Sequence, residues 1–176
     1  VEPGIYQEIE ARREGMILIS EERVDKIIQT LREELDRLGI TIEILKEKRF
    51  IYELYERMQR RKIPLKELSI PDIWRINIVV PKEDNCYDVL QLVHKLYPPV
   101  QEEIRDHIAD PRPNGHQFLQ TYVEAPRFGR LLVQVRDQEM QKNYRFGVLA
   151  AVEGGKIRHK EGVWLNALKE YLKSEG

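Results

Sequence analysis

The chain has 176 residues, of which 41% are hydrophobic and 34% are charged, and its formal net charge at pH 7 is −1. This length and composition are typical of one soluble globular domain with a hydrophobic core, and they exclude a disordered chain. A nearly neutral chain has no overall attraction to nucleic acid or anionic lipid, and no apolar run is long enough to span a membrane. We therefore expect neither direct nucleic-acid binding nor a membrane partner.

The chain contains one cysteine, Cys86. A single cysteine excludes an internal disulfide and fits a reducing compartment, so we expect a cytoplasmic location. No cluster of cysteines and histidines has the spacing of a structural zinc site. Because the sequence begins at Val1 rather than at methionine, we interpret residues 1–176 as one domain cut from a longer polypeptide, or as a processed product.

The N-terminal segment, residues 1–39, predicts helices. Residues 3–18 have a weak helical pattern, and Ser20 is a suitable N-cap for a second helix that ends at Gly39. We expect the apolar stripe of this second helix to pack on the rest of the domain. The stripe consists of Val24, Ile27, Ile28, Leu31, Leu35 and Leu38.

An α/β core is predicted for residues 40–151. Alternating apolar and polar residues predict a first strand over 40–45 and a second strand over 73–80. Between them, residues 47–62 have helical periodicity. The end of that helix is basic, which fits either a solvated helix end stabilised by the helix dipole or a surface that attracts phosphate. The cations at this end are Arg57, Arg60, Arg61 and Lys62.

The second half of the core adds a helix and a hairpin. Asp84 is a suitable cap for a helix over 85–97. Residues 101–108 fit one helical turn or a short strand. Residues 117–124 and 130–136 predict the two strands of a hairpin.

The C-terminal part of the chain is predicted to be helical, with one helix over 138–150 and a loop and helix over 152–176. Helices interspersed with four to five strands predict an α/β (α+β) fold, a mixed sheet flanked by helices. We expect a set of apolar side chains to be largely buried. They are Leu31, Trp74, Ile76, Leu90, Val93, Val133, Val135 and Trp164.

The segment 110–121 reads Asp-Pro-Arg-Pro-Asn-Gly-His-Gln-Phe-Leu-Gln-Thr. Its two prolines restrict the backbone around Arg112, and Asn-Gly at 114–115 permits a sharp turn with positive φ. Stiff loops that lead into a strand commonly carry binding residues. We expect this loop to direct Arg112 and His116 toward a ligand at the sheet edge.

This segment resembles the acceptor-nucleotide loop of the RelA/SpoT family, the enzymes that make the alarmone (p)ppGpp. That loop typically reads Lys-Pro-Asn-Gly-Tyr-Gln-Ser-Leu-His-Thr. Six residues match it, namely Pro113, Asn114, Gly115, Gln117, Leu119 and Thr121. The resemblance extends over most of the chain, through Arg49 with Ile51-Tyr52, Arg75, Cys86-Tyr87 before His94, and Gln134-Val135-Arg136 followed by Glu139-Met140.

The resemblance implies a nucleotidyltransferase-like RelA/SpoT synthetase fold. Family members are GTP pyrophosphokinases, which transfer pyrophosphate from ATP to the 3′ hydroxyl of GDP or GTP. It also implies a guanine nucleotide as ligand and the other domains of a longer parent protein as partners. The residues at nucleotide-binding positions are Arg49, Arg75, Arg112, Asn114, His116, Gln134 and Arg136.

The chain departs from the family pattern at both catalytic carboxylates. The metal-binding Asp, five residues before the arginine that corresponds to Arg75, is Ile70, and the Glu two residues before Gln134 is Leu132. Neither side chain binds a hard cation. Asp72 is the one substitute that we identify. We therefore expect no catalytic residues, no metal and no cofactor, with Mg²⁺ required only if Asp72 restores activity.

The nucleotide positions are altered as well. The stacking tyrosine of the acceptor loop is His116, and Phe118 and Gln120 replace a serine and a histidine. On the donor side, Glu47 and Glu53 place negative charges where a triphosphate lies, which disfavours ATP.

Three hypotheses follow from these departures. The first is a catalytically inactive synthetase domain with a regulatory or structural role in a longer alarmone protein. The second is an active pyrophosphokinase with a relocated carboxylate. The third is a non-catalytic sensor of guanine nucleotides. The lost carboxylates favour the first and third hypotheses over the second.

Overall fold

The computed structural model describes residues 3–153, with side chains described for residues 4–146. A five-stranded mixed sheet forms its centre, in the order β1-β2-β5-β4-β3. The strands are β1 (Glu43–Lys48), β2 (Trp74–Val80), β3 (Arg105–Asp106), β4 (Leu119–Ala125) and β5 (Gly129–Asp137). The helices are α1 (Pro3–Asp36), α2 (Ile51–Arg61), α3 (Ile70–Ile73), α4 (Glu83–Leu96) and α5 (Gln138–Glu153). The α+β fold with a mixed sheet is therefore confirmed.

The central pair of the sheet, β2 and β5, is parallel, and the other strand pairs are antiparallel. In this register Arg75 lies beside Leu132 and Asn77 lies beside Gln134. On the other side of β2, Glu47 of β1 pairs with Arg75. The strand pairing thus places polar residues that are distant in the sequence side by side on neighbouring strands. The predicted hairpin is confirmed, since β4 and β5 pair along their length.

The hydrophobic core lies on both sides of the central strands, and every residue of β2 is buried. Six of the expected core residues are confirmed as buried, namely Leu31, Trp74, Ile76, Val93, Val133 and Val135. Leu90 is only partly buried and packs against the core, so the prediction that it is largely buried was wrong. Trp164 and the rest of the predicted C-terminal loop and helix lie outside the described residues.

The N-terminal segment forms one helix rather than two, and Ser20 does not cap a helix. Its side chain is fully buried inside α1, where its hydroxyl donates to the carbonyl of Met16. The same hydroxyl accepts a hydrogen bond of 2.8 Å from Nε1 of Trp74. A buried indole requires a partner, so this tertiary contact explains a serine inside the helix.

The first strand and the helix after it begin later than the sequence indicated. The strand occupies Glu43–Lys48 rather than 40–45, because its last residues pair with the start of β2. Consequently α2 begins only at Ile51, although helical periodicity was predicted from residue 47.

Two further boundaries differ from the sequence predictions. Lys82 occupies the position before α4, so Asp84 lies in the first turn and is not the cap. The 101–108 segment contains both alternatives, a 3-10 turn at Gln101–Glu103 followed by the short strand β3. Among the described residues, no helix is both long and apolar enough to cross a membrane.

Candidate functional site

A cleft of about 590 Å³ opens between α2, the 105–112 segment and the strands β2, β4 and β5. Its lining includes seven arginines and three glutamates. An excess of cations in a concave surface attracts anions such as phosphates. The charged residues that line it are Arg49, Glu53, Glu56, Arg57, Arg60, Arg61, Arg75, Glu103, Arg105 and Arg112; the other lining residues are His107, Gln120, Tyr122, Leu132 and Gln134.

Helix α2 supplies three of the cleft arginines, Arg57, Arg60 and Arg61. Their spacing of three and four residues places them on one side of the helix. Arg60 and Arg61 are exposed, whereas Arg57 is buried. Arg60 and Arg61 lie in the last turn of α2, where the helix dipole favours cations, and they also line the cleft, so both interpretations of this basic helix end remain open.

Arg75 is buried at the inner end of the cleft and its charge is balanced within the protein. Its Nε lies 2.6 Å from a carboxylate oxygen of Glu47, and its Nη1 lies 2.9 Å from one of Glu53. Burial alone would lower the pKa of Arg75, but the nearby negative groups outweigh burial and raise the pKa well above its ordinary value. Glu47 does not line the cleft, so its main effect is to neutralise Arg75 rather than to repel a ligand directly.

Arg49, which follows β1, is also buried but reaches the cleft. Its Nη1 donates to the backbone carbonyl of Asp72 over 2.7 Å, and its Nη2 donates to the hydroxyl of Tyr122 over 3.2 Å. Burial, which disfavours the charged form, lowers the pKa of this guanidinium. Arg49 therefore joins α3 to β4.

Both oxygens of the Asp72 carboxylate already have partners. Arg57 donates to Oδ1 over 2.8 Å, while the amide and the hydroxyl of Ser69 donate to Oδ2, each over 2.9 Å. Burial opposes ionisation of Asp72, but the hydrogen bonds from Ser69 and Arg57 prevail and lower its pKa. Asp72 lines a smaller cavity of about 230 Å³ that shares Arg57 and Tyr122 with the cleft.

The positions that correspond to the family carboxylates are apolar and lie in different places. Leu132 lines the cleft, beside Arg75 in the sheet. Ile70 packs against the hydrophobic core and does not line the cleft. Among the described residues, no group of three or more histidines, cysteines, aspartates or glutamates could hold a metal ion. Ile70 and Leu132 therefore supply no ligand for Mg²⁺, and the Asp72 carboxylate is already bound to Arg57 and Ser69.

The loop before β4 has the predicted turn. Gly115 has a φ of +81°, and its amide donates to the carbonyl of Arg112 over 2.7 Å. The side-chain oxygen of Asn114 accepts from the amide of His116 over 3.0 Å. Arg112 lines the cleft, whereas Asn114 is exposed outside it and stabilises the turn.

Arg136 is buried beside the cleft rather than lining it. It donates to the side-chain oxygens of Asn77 and Gln134, each over 2.8 Å. Its guanidinium carbon lies 4.2 Å from the ring centre of Tyr144 and 4.9 Å from that of Phe118. Such distances are typical of cation–π contacts, which hold Arg136 in place.

His116 also lies outside the cleft lining, with its ring 6.2 Å from that of Tyr144 in an edge-on arrangement. Burial and the neighbouring cations Arg136 and Arg112 lower the pKa of this imidazole. The structure thus divides the predicted nucleotide residues. Arg49, Arg75, Arg112 and Gln134 line the cleft; Asn114, His116 and Arg136 do not.

Tyr144 lies beside the candidate site and was not identified by the sequence analysis. It lies on α5, three residues after Gln141, and contacts Arg75 and Arg136. The predicted helix over 138–150 placed Gln141 and Tyr144 on one side, because residues three apart share a helix face. That spacing was the available signal, but it did not show that this side faces the arginines.

Comparisons with known proteins agree with this fold. A sequence profile described as "Region found in RelA / SpoT proteins" matches residues 46–154. A guanosine-3′,5′-bis(diphosphate) 3′-pyrophosphohydrolase of Borreliella burgdorferi is 30% identical over 149 residues, which cover 84% of this chain and 22% of that protein. A GTP pyrophosphokinase of Escherichia coli is 27% identical over 175 residues, or 94% of this chain and 23% of that protein. The chain thus spans less than a quarter of the length of these relatives.

Solved structures show the same fold at low sequence identity. The small alarmone synthetase 2 of Bacillus subtilis has a TM-score of 0.66 and 16% identity, with coverage of 92% of this chain and 94% of that chain. The small alarmone synthetase 1 of the same organism, bound to its product pppGpp, has a TM-score of 0.64 and 17% identity, with coverage of 89% and 87%. Since the family profile covers more than half of the sequence, the chain belongs to the RelA/SpoT family.

Proposed function

We propose that this chain is a RelA/SpoT synthetase-like domain that does not transfer pyrophosphate. We further propose that it serves a regulatory or structural role in a longer protein of guanosine tetraphosphate metabolism. The observation that supports this most is Leu132, an apolar side chain in the cleft at the level of Arg75, where the family has a glutamate.

The chemistry explains why this position matters. Phosphoryl transfer depends on a metal ion, held by carboxylates, that offsets the charge on crowded phosphates. Leu132 provides no ligand for such an ion, and Asp72 is bound to Arg57 and Ser69. Arg75 retains its charge, but Glu47 and Glu53 balance it. These contacts support the proposal, because the positions of the two family carboxylates supply no metal ligand and their nearest substitute is already paired.

The second candidate function is a non-catalytic sensor of guanine nucleotides. The arginine-rich cleft favours it, because cations bind phosphate without turnover. The pppGpp bound to the Bacillus subtilis structure also supports a nucleotide at this fold. The third candidate, an active pyrophosphokinase that uses Asp72, requires that carboxylate to leave Arg57.

Assaying the purified chain with labelled ATP, with GDP or GTP, and with Mg²⁺ or Mn²⁺ tests the main proposal. We expect no (p)ppGpp, whereas an active relative such as the Escherichia coli GTP pyrophosphokinase provides the positive control. Product from the wild-type chain that disappears in Asp72→Asn would overturn the proposal in favour of a relocated carboxylate. Isothermal titration with GDP, GTP and a non-hydrolysable ATP analogue separates the sensor from a purely structural domain, because the sensor binds a guanine nucleotide. An active pyrophosphokinase also binds one, and its product in the assay distinguishes it from the sensor.

A further inference from the structure

The ring of Tyr144 lies among groups that are suited to hold a planar ring. The guanidinium carbon of Arg136 lies 4.2 Å from its ring centre. The ring of His116 meets it edge-on at a centroid distance of 6.2 Å. Arg136 also contacts the ring of Phe118, whose centre is 4.9 Å from the guanidinium carbon. A guanidinium flanked by aromatic rings stacks readily on the bases of nucleotides.

The hydroxyl of Tyr144 is held as firmly as its ring. It accepts a hydrogen bond of 2.8 Å from Nη2 of Arg75, one of the arginines that line the cleft. One turn earlier on α5, the side-chain oxygen of Gln141 accepts from Nδ2 of Asn77 over 2.7 Å. These two bonds attach α5 to β2 and keep Tyr144 beside Arg136.

We propose that Tyr144 is an intramolecular occupant of a ring-binding site formed by Arg136 and His116, and that a purine base enters this site only when Tyr144 leaves it. The wild-type chain is therefore autoinhibited for base binding. The proposal rests on the proposed function only for the choice of a guanine nucleotide as probe.

The geometry also connects the ring site to the arginine cleft. Arg75 contacts Tyr144 through Nη2, while its Nε and Nη1 contact Glu47 and Glu53. An anion that draws Arg75 into the cleft would weaken the bond that holds Tyr144. Entry of phosphate and departure of the tyrosine are thus coupled through one guanidinium group.

The test compares Tyr144→Ala with Tyr144→Phe in the full chain. Both variants lose the hydroxyl bond to Arg75, but only Tyr144→Ala removes the ring. We expect Tyr144→Ala to bind GDP about tenfold more tightly than wild type, the order expected for one stacked base. Tyr144→Phe should stay within about threefold of wild type, because its ring still fills the site. Isothermal titration measures both affinities, and circular dichroism verifies that both variants are folded.

Inorganic pyrophosphate is the control ligand, because it occupies the cleft but has no ring. Its affinity should change equally in the two variants. If the affinity of Tyr144→Ala for pyrophosphate increases as much as its affinity for GDP, the gain comes from the release of Arg75 and the proposal is wrong. It is also wrong if GDP binds Tyr144→Ala no better than wild type.

A second variant covers the case in which Tyr144→Ala does not fold. Gln141→Ala removes the bond to Asn77 and keeps the tyrosine, so it should loosen α5 and raise GDP affinity by a smaller factor, about threefold. Unchanged GDP affinity in a folded Gln141→Ala would then overturn the proposal. Detection of (p)ppGpp synthesis by the wild-type chain would overturn the proposed function instead and leave these binding comparisons intact.

Discussion

Glu47 and Arg75 lie opposite each other on the neighbouring strands β1 and β2, with 2.6 Å between Glu47 Oε2 and Arg75 Nε. Glu47 is almost fully buried, with 3% of its surface exposed, so this pair is part of the protein interior. In the sequence, Glu47 is a negative charge near a presumed phosphate site. In the structure it is the partner that permits Arg75 to be buried beneath the cleft.

The first prediction concerns this pair. Glu47→Gln should lower the free energy of unfolding by about 1–3 kcal/mol, because loss of one partner leaves a buried charge less compensated. Glu53 still pairs with Arg75, which keeps the loss below that of an isolated buried pair. Denaturation by urea measures the change. Glu43→Gln, an exposed position on the same strand, is the matched control and should change stability by less than about 0.5 kcal/mol. Equal effects of the two substitutions would contradict the structural role of the pair.

The second prediction concerns Ser20. Ser20→Ala removes the acceptor of the Trp74 indole and should cost about 1–3 kcal/mol of stability, the penalty for an unsatisfied buried donor. Thermal or urea unfolding measures this cost. Gln29→Ala, an exposed position on the same helix, is the control and should be nearly neutral. A neutral Ser20→Ala would show that Trp74 finds another partner.

The Gly115 turn, the β4–β5 hairpin and Ser20 show which features of the fold the sequence could predict and which it could not. The turn at Gly115 and the β4–β5 hairpin were predicted, because Asn-Gly and strand alternation act over a few neighbouring residues. The role of Ser20 depends on Trp74, which lies 54 residues away in the sequence. A serine before two glutamates has the pattern of a helix cap, and only the tertiary contact excludes that interpretation.

The sequence predicted some residues of the candidate site but not their arrangement. The family pattern identified Arg49, Arg75 and Arg112, which line the cleft. Gln134 and Arg136 share a strand face by alternation, yet only Gln134 reaches the cleft. The difference arises from Tyr144, whose ring lies over Arg136. Strand periodicity gives the side of a sheet on which a residue lies, but it does not show which side chain of another element lies over that residue.

The third prediction concerns the pH dependence of stability at Asp72. Its pKa in the folded state lies below the ordinary value of 3.8, so the ionised carboxylate stabilises the fold at pH values above 3.8. This contribution is lost as pH falls below 3.8 and through the lower folded pKa. At neutral pH, Asp72→Asn should cost about 1–3 kcal/mol through the weakened bonds to Arg57 and Ser69.

Urea denaturation at several pH values measures this dependence. The free energy of unfolding of wild type should exceed that of Asp72→Asn by a constant amount above about pH 5, and this difference should decrease below pH 3.8. Arg57→Gln removes the cation of the same ion pair. The decrease that it causes in the free energy of unfolding should become smaller over the same pH range. A difference that does not vary with pH would show that the Asp72 charge does not stabilise the fold.

The last prediction concerns restoration of carboxylates in the cleft. Leu132→Glu places a carboxylate beside Arg75, where it competes with Glu47 and Glu53 for that guanidinium. Asp72 stays paired with Arg57, so it does not join the new carboxylate in holding a metal. We therefore expect no (p)ppGpp synthesis from Leu132→Glu. Adding Ile70→Asp should not help, because Ile70 packs on the core and an aspartate there costs about 1–3 kcal/mol of stability.

The assay with labelled ATP and GDP uses a matched variant to distinguish the effect of the negative charge at position 132 from the effect of side-chain size. Leu132→Gln has the size of the glutamate and cannot bind a hard cation as a charged ligand. Product from Leu132→Glu but not from Leu132→Gln would mean that a single carboxylate completes a metal site, with Asp72 released from Arg57. In that event Asp72→Asn in the Leu132→Glu background should abolish synthesis, and the loss of one glutamate would account for the inactivity that we propose. Absence of product from all of these variants would mean that the altered acceptor loop and the balanced charge of Arg75 also prevent transfer.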